Sequence, residues 1–61
     1  MKRRDFLKHL ASHHCVILRE GNSHTIVINT INNRKTSVPR HREIKEVMAK
    51  VICKQLDIPS P

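Results

Sequence analysis

Two short segments of this sequence hold side chains suited to acid–base chemistry on a phosphate ester. The first, Arg19-Glu-Gly-Asn-Ser-His24, ends in a histidine at the point where an apolar run begins. The second, Arg40-His41-Arg42, follows Pro39. Imidazole takes up or releases a proton near neutral pH, and guanidinium groups bind phosphate and offset the charge that develops on it. If folding brings the segments together, they form a site for proton transfer at a phosphodiester.

The composition favours an anionic partner and excludes a deep pocket. The 61 residues include 12 Lys and Arg against five Asp and Glu, a net charge of +7. Such a surplus attracts polyanions and favours a nucleic acid or acidic partner over the alternative that the charge serves solubility alone. A chain this short buries only about 60% of the surface that its unfolded form exposes. With one Phe and no Trp or Tyr, its core must be aliphatic. We expect one domain over residues 1–61 that binds nucleic acid or an acidic protein and holds no cofactor.

The two cysteines, Cys15 and Cys53, are too few for a disulfide scaffold. Together with His13 and His14 they suggest a zinc site. Side chains of adjacent residues diverge, however, and rarely ligate one tetrahedral ion, so we expect no metal. No apolar run approaches the ~20 residues of a membrane span, and no continuous apolar stretch follows the basic start as in a signal peptide. We therefore expect a cytoplasmic protein without membrane contact.

The spacing of apolar residues predicts five elements in the order α-β-β-β-α. A helix is expected over about residues 3 to 12, then strands over 15–18, 24–29 and 35–38, then a second helix after residue 42. Gly21-Asn22 and Asn32-Asn33 mark the turns, and Pro39 ends the third strand. One face of the second helix is apolar, formed by Ile44, Val47, Met48, Val51, Ile52 and Leu56. This order predicts an α+β fold like a double-stranded-RNA-binding domain, with two helices covering one face of a three-stranded antiparallel sheet.

The predicted turns also set a strand register. A two-residue turn at Gly21-Asn22 would pair Arg19 with His24, and the next turn would set His24 near Arg40. Facing the helices would be Cys15, Ile17, Ile26, Ile28 and Val38. The open face would hold Val16, Leu18, Thr25, Val27 and Ser37, which is unusually apolar for solvent, and a slip of one residue would exchange the faces. In either register, one sheet edge gathers the six candidate site residues: Arg19, Ser23, His24, Arg40, His41 and Arg42.

From the residues alone, three functions stay open for this edge. His24 could transfer protons in phosphodiester cleavage, the same patch could bind phosphate without cutting, or the histidine could be a surface residue without chemistry. Loss of His24 would separate the first two, since binding tolerates it and cleavage does not. His41 could orient the phosphate beside Arg40 and Arg42, or cap the entrance to the second helix.

Several motifs resemble the HicA family of toxin mRNA interferases, also called YcfA-like. They are R-x-x-N-S-H-T-I around His24, T-S-V-P-R-H-R-E-I-K after it, and V-I-C-K-Q-L in the last helix. The likeness runs from Phe6 to Ile58. It departs from the family at Asn22, which stands in place of the glycine of a G-S-H motif, at His14-Cys15, where Gly-Trp is common, and at Asp57, where many relatives have a helix-ending glycine.

The resemblance implies a fold like a double-stranded-RNA-binding domain and a toxin that cleaves mRNA without a metal. It implies that His24 is the catalytic histidine and Ser23 its motif neighbour. It also implies a HicB-like antitoxin as partner. The alternative from a different class is a non-catalytic RNA-binding module of the same fold.

Overall fold

The computed structural model describes all of residues 1–61 and confirms the predicted order of elements. Two helices, α1 (Arg3–Ser12) and α2 (Glu46–Leu56), flank three strands, β1 (Cys15–Glu20), β2 (His24–Asn29) and β3 (Lys35–Pro39). The strands form one antiparallel sheet in the order β1-β2-β3. This open sheet with its two helices has the arrangement of a double-stranded-RNA-binding domain. Neither helix has the length and apolar character that crossing a bilayer requires.

The core lies between the sheet and the helices and contains one aromatic side chain. Its ten members are Phe6, Leu10, Cys15, Val27, Val38, Ile44, Ala49, Ile52, Cys53 and Leu56. Full burial of a large apolar side chain contributes about 1.5–3 kcal/mol. With so few such residues, each of the large ones accounts for a substantial part of the stability of this fold.

The strand register differs from the predicted one. Glu20 lies opposite Thr25, and Cys15 opposite Asn29, with an irregularity between Ile17 and Arg19 that inserts Leu18 as a bulge. The connection before β2 spans Gly21–Ser23, one residue longer than the predicted turn. Because side chains alternate along a strand, this shift exchanges the two faces of β2.

As a consequence, the inward face of β2 is more polar than predicted. Thr25, Val27 and Asn29 are buried, whereas Ile26 and Ile28 are only half-buried. Asn29 is satisfied in the core because its Nδ2 donates to the Leu56 carbonyl at 2.8 Å and its Oδ1 accepts from the backbone N–H of Ile31 at 2.9 Å. It thereby ties the turn after β2 to the end of α2.

The buried face of α2 is also rotated from the predicted one. Ala49, Ile52, Cys53 and Leu56 are buried, whereas the predicted members Val47, Met48 and Val51 are 74%, 43% and 44% exposed. A hydrogen bond between the side chains of Thr36 and Gln55 joins β3 to α2. The small residues Ala49 and Cys53 lie in the buried core. Asp57 ends the helix in the left-handed region, at φ 58°.

Candidate functional site

A cavity of about 710 Å³ lies where β2 begins and β3 ends. It is lined by His24 from β2, Pro39 from β3, the connecting residues 41–45 and Met48 from α2. Three of the six predicted site residues, His24, His41 and Arg42, therefore share one cavity. The sequence prediction that the start of β2 and the end of β3 meet is confirmed, since His24 lies opposite Pro39 in the ladder.

His24 is exposed at the first position of β2. Its Nδ1 lies 3.1 Å from the Ser23 hydroxyl oxygen, within hydrogen-bond distance. If Nδ1 carries the proton and donates to that oxygen, Nε2 is left as the basic nitrogen of the ring. Ser23 can thus hold the imidazole in the form that accepts a proton from a substrate.

Gly21 fixes the entry of the chain into β2. Its backbone N–H donates to the His24 carbonyl at 2.8 Å. A Cβ at position 21 would lie 2.8 Å from that same carbonyl oxygen, so only glycine fits there without a shift. Neither Gly21 nor Asn22 has a positive φ. The glycine is required by close approach rather than by backbone conformation.

Residues at the start of the chain hold the segment that carries His41 and Arg42. The backbone N–H of Arg3 donates to the Arg42 carbonyl at 2.9 Å, and Ile44 and Met1 exchange backbone hydrogen bonds. Lys2 and Glu43 form an isolated antiparallel bridge. This connection has no regular secondary structure, so these pairings are what position it beside His24.

A polar network centred on the buried Thr25 hydroxyl engages Arg40. Arg3 donates through Nη2 to the Thr25 hydroxyl at 2.5 Å, and that hydroxyl donates to the Glu20 carboxylate at 2.6 Å. The same carboxylate accepts from Arg40 at 3.0 Å, and Arg40 also donates to the Gly21 carbonyl at 3.2 Å. Arg40 is thus partly neutralised and does not line the cavity.

Arg19 also lies outside the cavity. It is opposite Ile26 rather than His24, on the outer face of the sheet. Two charged residues that sequence reasoning did not place in the site, Glu43 and Lys45, line the cavity instead. They lie one and three residues after Arg42 in the H-R-E-I-K segment, so their position in that motif was the available signal. The Glu43 carboxylate lies 3.6 Å from the terminal amino group.

The cysteines lie in the core, away from this site. Burial raises the pKa of the Cys15 thiol. The pKa of the Cys53 thiol is also raised, first by burial and second by the charge of the nearby Cys15. Thiols held in the neutral form are poor nucleophiles and poor metal ligands. No group of three or more His, Cys, Asp or Glu side chains lies close enough together to hold a metal ion.

Comparison with known proteins bears on the whole chain. No curated protein and no solved structure gives a significant match. A family model described as the HicA toxin of bacterial toxin–antitoxin systems matches residues 3–58. Because this match covers both helices, the sheet and every candidate site residue, the protein belongs to the HicA family of toxins and is the toxin half of a toxin–antitoxin pairing.

Proposed function

We propose that this toxin is a metal-independent endoribonuclease that cleaves mRNA, with His24 as an acid–base catalyst. The observation that carries the proposal is the exposed imidazole, hydrogen-bonded to Ser23 and sharing a cavity with Arg42 and Lys45. The imidazole would remove the proton from a ribose 2′-hydroxyl. The two cations would bind the phosphate and offset its developing charge.

The charge of the whole chain supports a nucleic acid substrate. Its net charge of +7 raises the local concentration of a polyanion and speeds encounter with it. The cavity lies at the edge of the sheet, where a flexible single strand has access. A buried small-molecule pocket would have needed a larger core than this one.

The test is cleavage of a long single-stranded RNA by the purified protein in EDTA. We expect His24→Gln to reduce cleavage about 10²–10⁴-fold, because a positioned general acid–base catalyst contributes that much. His13→Gln is the matched control, since His13 packs against His9 at the end of α1 with tilted rings and does not line the cavity. Equal rates for His24→Gln and the parent would refute the assignment. RNA binding by a parent protein that does not cut would favour the non-catalytic module.

The products distinguish this mechanism from metal-dependent hydrolysis. Attack by the 2′-hydroxyl needs a ribose, so DNA should resist cleavage. The RNA fragments should carry 2′,3′-cyclic or 3′-phosphate ends. Cleavage that requires a divalent metal and leaves 5′-phosphates would contradict the proposal.

Arg42 and Arg40 should contribute unequally to RNA binding. Arg42 lines the cavity, whereas Arg40 is paired with Glu20. Arg42→Gln should therefore weaken binding and reduce the slope of log K against log salt by about one unit, with a smaller change for Arg40→Gln. The pair is a matched comparison of two neighbouring arginines. An unchanged slope for Arg42→Gln would place the RNA elsewhere.

The partner we propose is an acidic, HicB-like antitoxin that covers the cavity directly. Its carboxylates would compete for the cations that bind RNA, so charge attraction would speed association, and burial around His24 would set the lifetime of the complex. Hydrogen exchange on the co-expressed complex should show protection at residues 21–26 and 38–42. Protection confined to the far ends of the helices would rule out direct masking.

A further inference from the structure

A second imidazole faces the same cavity as His24. His41 is exposed on the segment that Arg3 and Met1 hold by backbone hydrogen bonds. Its position is therefore fixed by the fold rather than left to a free loop. The question is which chemistry a second histidine could perform there.

The chemistry proposed for the cavity requires two proton transfers. When the 2′-oxygen attacks, the O2′–P bond forms and the P–O5′ bond breaks. One proton must leave the 2′-hydroxyl and one must reach the departing 5′-oxygen. In an in-line displacement these two oxygens lie on opposite sides of the phosphorus, so one imidazole cannot serve both in a single step. A second group must supply the proton.

The side chains in the cavity leave one candidate for that group. Besides His24, the titratable and charged residues that line it are His41, Arg42, Glu43 and Lys45. Guanidinium does not release its proton in proteins, and an ammonium group does so only far above neutral pH. A carboxylic acid is ionised at neutral pH and has no proton to give. Imidazolium alone gives up a proton near neutrality.

We propose that His41 is the general acid that protonates the leaving 5′-oxygen, with His24 as the base. The inference rests on the proposed ribonuclease function. His24 accepts the 2′-hydroxyl proton at Nε2 while its Nδ1 bonds to Ser23. His41 in its protonated form delivers a proton to the 5′-oxygen as the P–O5′ bond breaks. In hydrolysis of the 2′,3′-cyclic product the roles reverse, which returns both histidines to their starting forms.

The charged side chains that line the cavity with His41 are balanced once a phosphodiester is bound. Arg42 and Lys45 add positive charge to the cavity, and Glu43 adds one negative charge. A bound phosphodiester supplies a further negative charge, which offsets the remaining positive charge of the cavity. Arg40 contributes little to this balance because its guanidinium is paired with Glu20.

The first measurement is the pH dependence of kcat/KM on RNA for the parent and for His41→Gln. A base that must be neutral and an acid that must be protonated give the parent a bell-shaped profile. His41→Gln should reduce the rate about 10²–10⁴-fold and remove the falling alkaline limb, leaving the rising limb in place. His13→Gln should keep both limbs. A His41→Gln enzyme that keeps the parental rate and the bell-shaped profile would overturn the proposal.

The second measurement replaces the 5′-oxygen at the scissile bond with sulfur. A thiolate leaves without protonation, so a general acid is no longer needed. His41→Gln should then regain most of its lost rate, whereas His24→Gln should not, since the 2′-hydroxyl must still be deprotonated. Equal losses on both substrates would mean that His41 binds or positions the RNA, or caps α2, and would overturn its role as the acid.

The two proposals fail in distinguishable ways. If the parent protein cleaves neither substrate, the ribonuclease function fails and the acid assignment fails with it. If the parent cleaves RNA and His41→Gln lacks the rescue, only the acid assignment fails. Thermal unfolding of each variant identifies one whose rate is low because it is unfolded. In that case His41→Asn, a second variant that removes the imidazole, gives the same two readouts.

Discussion

Gly21→Ala tests how closely the chain is packed where it enters β2, because the substitution could either raise or lower the free energy of unfolding. Gly→Ala at a position with free space and an ordinary backbone stabilises a protein by about 0.4–1 kcal/mol, because it restricts the unfolded chain. Position 21 has no positive φ, so backbone conformation alone would favour alanine. The added Cβ, however, would lie 2.8 Å from the His24 carbonyl oxygen. Space and backbone conformation therefore predict opposite signs.

The size of the effect follows from that contact. Ordinary van der Waals contact begins at 3.4 Å, so the two segments must separate by 3.4 − 2.8 = 0.6 Å. This motion strains the Gly21 N–H to His24 carbonyl hydrogen bond, whose net contribution is about 0.5–1.5 kcal/mol. With backbone strain added, Gly21→Ala should lower the free energy of unfolding by about 1–2 kcal/mol. For a domain of this size the midpoint falls about 4–8 °C for each kcal/mol.

The same displacement should act on the proposed reaction. A 1 Å misplacement of a reacting group can reduce a rate about 10²-fold. A shift of His24 by 0.6 Å should therefore reduce RNA cleavage measurably in molecules that remain folded. Thermal unfolding measures the loss of stability. Single-turnover cleavage at a temperature well below the unfolding midpoint measures the loss of rate in folded molecules. Asn22→Ala is the matched control, because Asn22 is exposed and adjacent in the same turn. A Gly21→Ala protein more stable than the parent would refute the reasoning.

Three further perturbations test the core and the helix ends. Asn29→Ala should lower the free energy of unfolding by about 1–3 kcal/mol in urea titrations, because the Leu56 carbonyl loses a buried donor and the Ile31 N–H its acceptor; no loss would mean that water replaces the amide. Asp57→Gly should raise the free energy of unfolding by about 1 kcal/mol, since it relieves a left-handed residue and removes a negative charge at a helix C-terminus; a less stable variant would contradict this. Burial raises the pKa of the Cys15 and Cys53 thiols above the ordinary value of 9.0. As the pH rises, these thiols therefore ionise in the unfolded chain before they ionise in the folded protein. The contribution of the thiols to the free energy of unfolding should be constant below pH 9 and fall above it. Urea titrations on either side of pH 9 should show a smaller fall when both cysteines are replaced by alanine, and an equal fall would assign the effect to other groups.

The order of the helices and strands could be predicted from the sequence, but not which face of β2 and of α2 is buried. Apolar spacing located α1 and β2 at their observed ends because each pattern has clear flanking signals. The extra residue in the Gly21–Ser23 connection and the bulge at Leu18 leave no such signal, and each moves the register. Since a shift of one residue exchanges the faces of a strand, Thr25 and not Ile26 faces the helices.

The segments that meet at the site could be predicted from the sequence, but not all of the side chains that line the cavity. That the start of β2 and the end of β3 meet at one edge follows from antiparallel pairing, whichever register holds. Which arginine lines the cavity does not follow, because the pairing of Arg40 with Glu20 is a side-chain contact that strand pairing alone does not specify. The inclusion of Lys45 depends on where α2 begins, which apolar spacing locates only to within a few residues.

The contacts separate the residues that hold the cavity from those that would act in it. Backbone hydrogen bonds and the buried Thr25 hydroxyl position the walls, whereas His24, His41 and Arg42 are exposed. Exposed side chains contribute little to stability, typically within about 0.5 kcal/mol. Substitutions there should therefore change chemistry and leave unfolding nearly unchanged. Replacement of Thr25 should do the reverse, because it removes the buried hydroxyl that joins Arg3 to Glu20. It should lower stability, and it should disturb the cavity only by loosening β2.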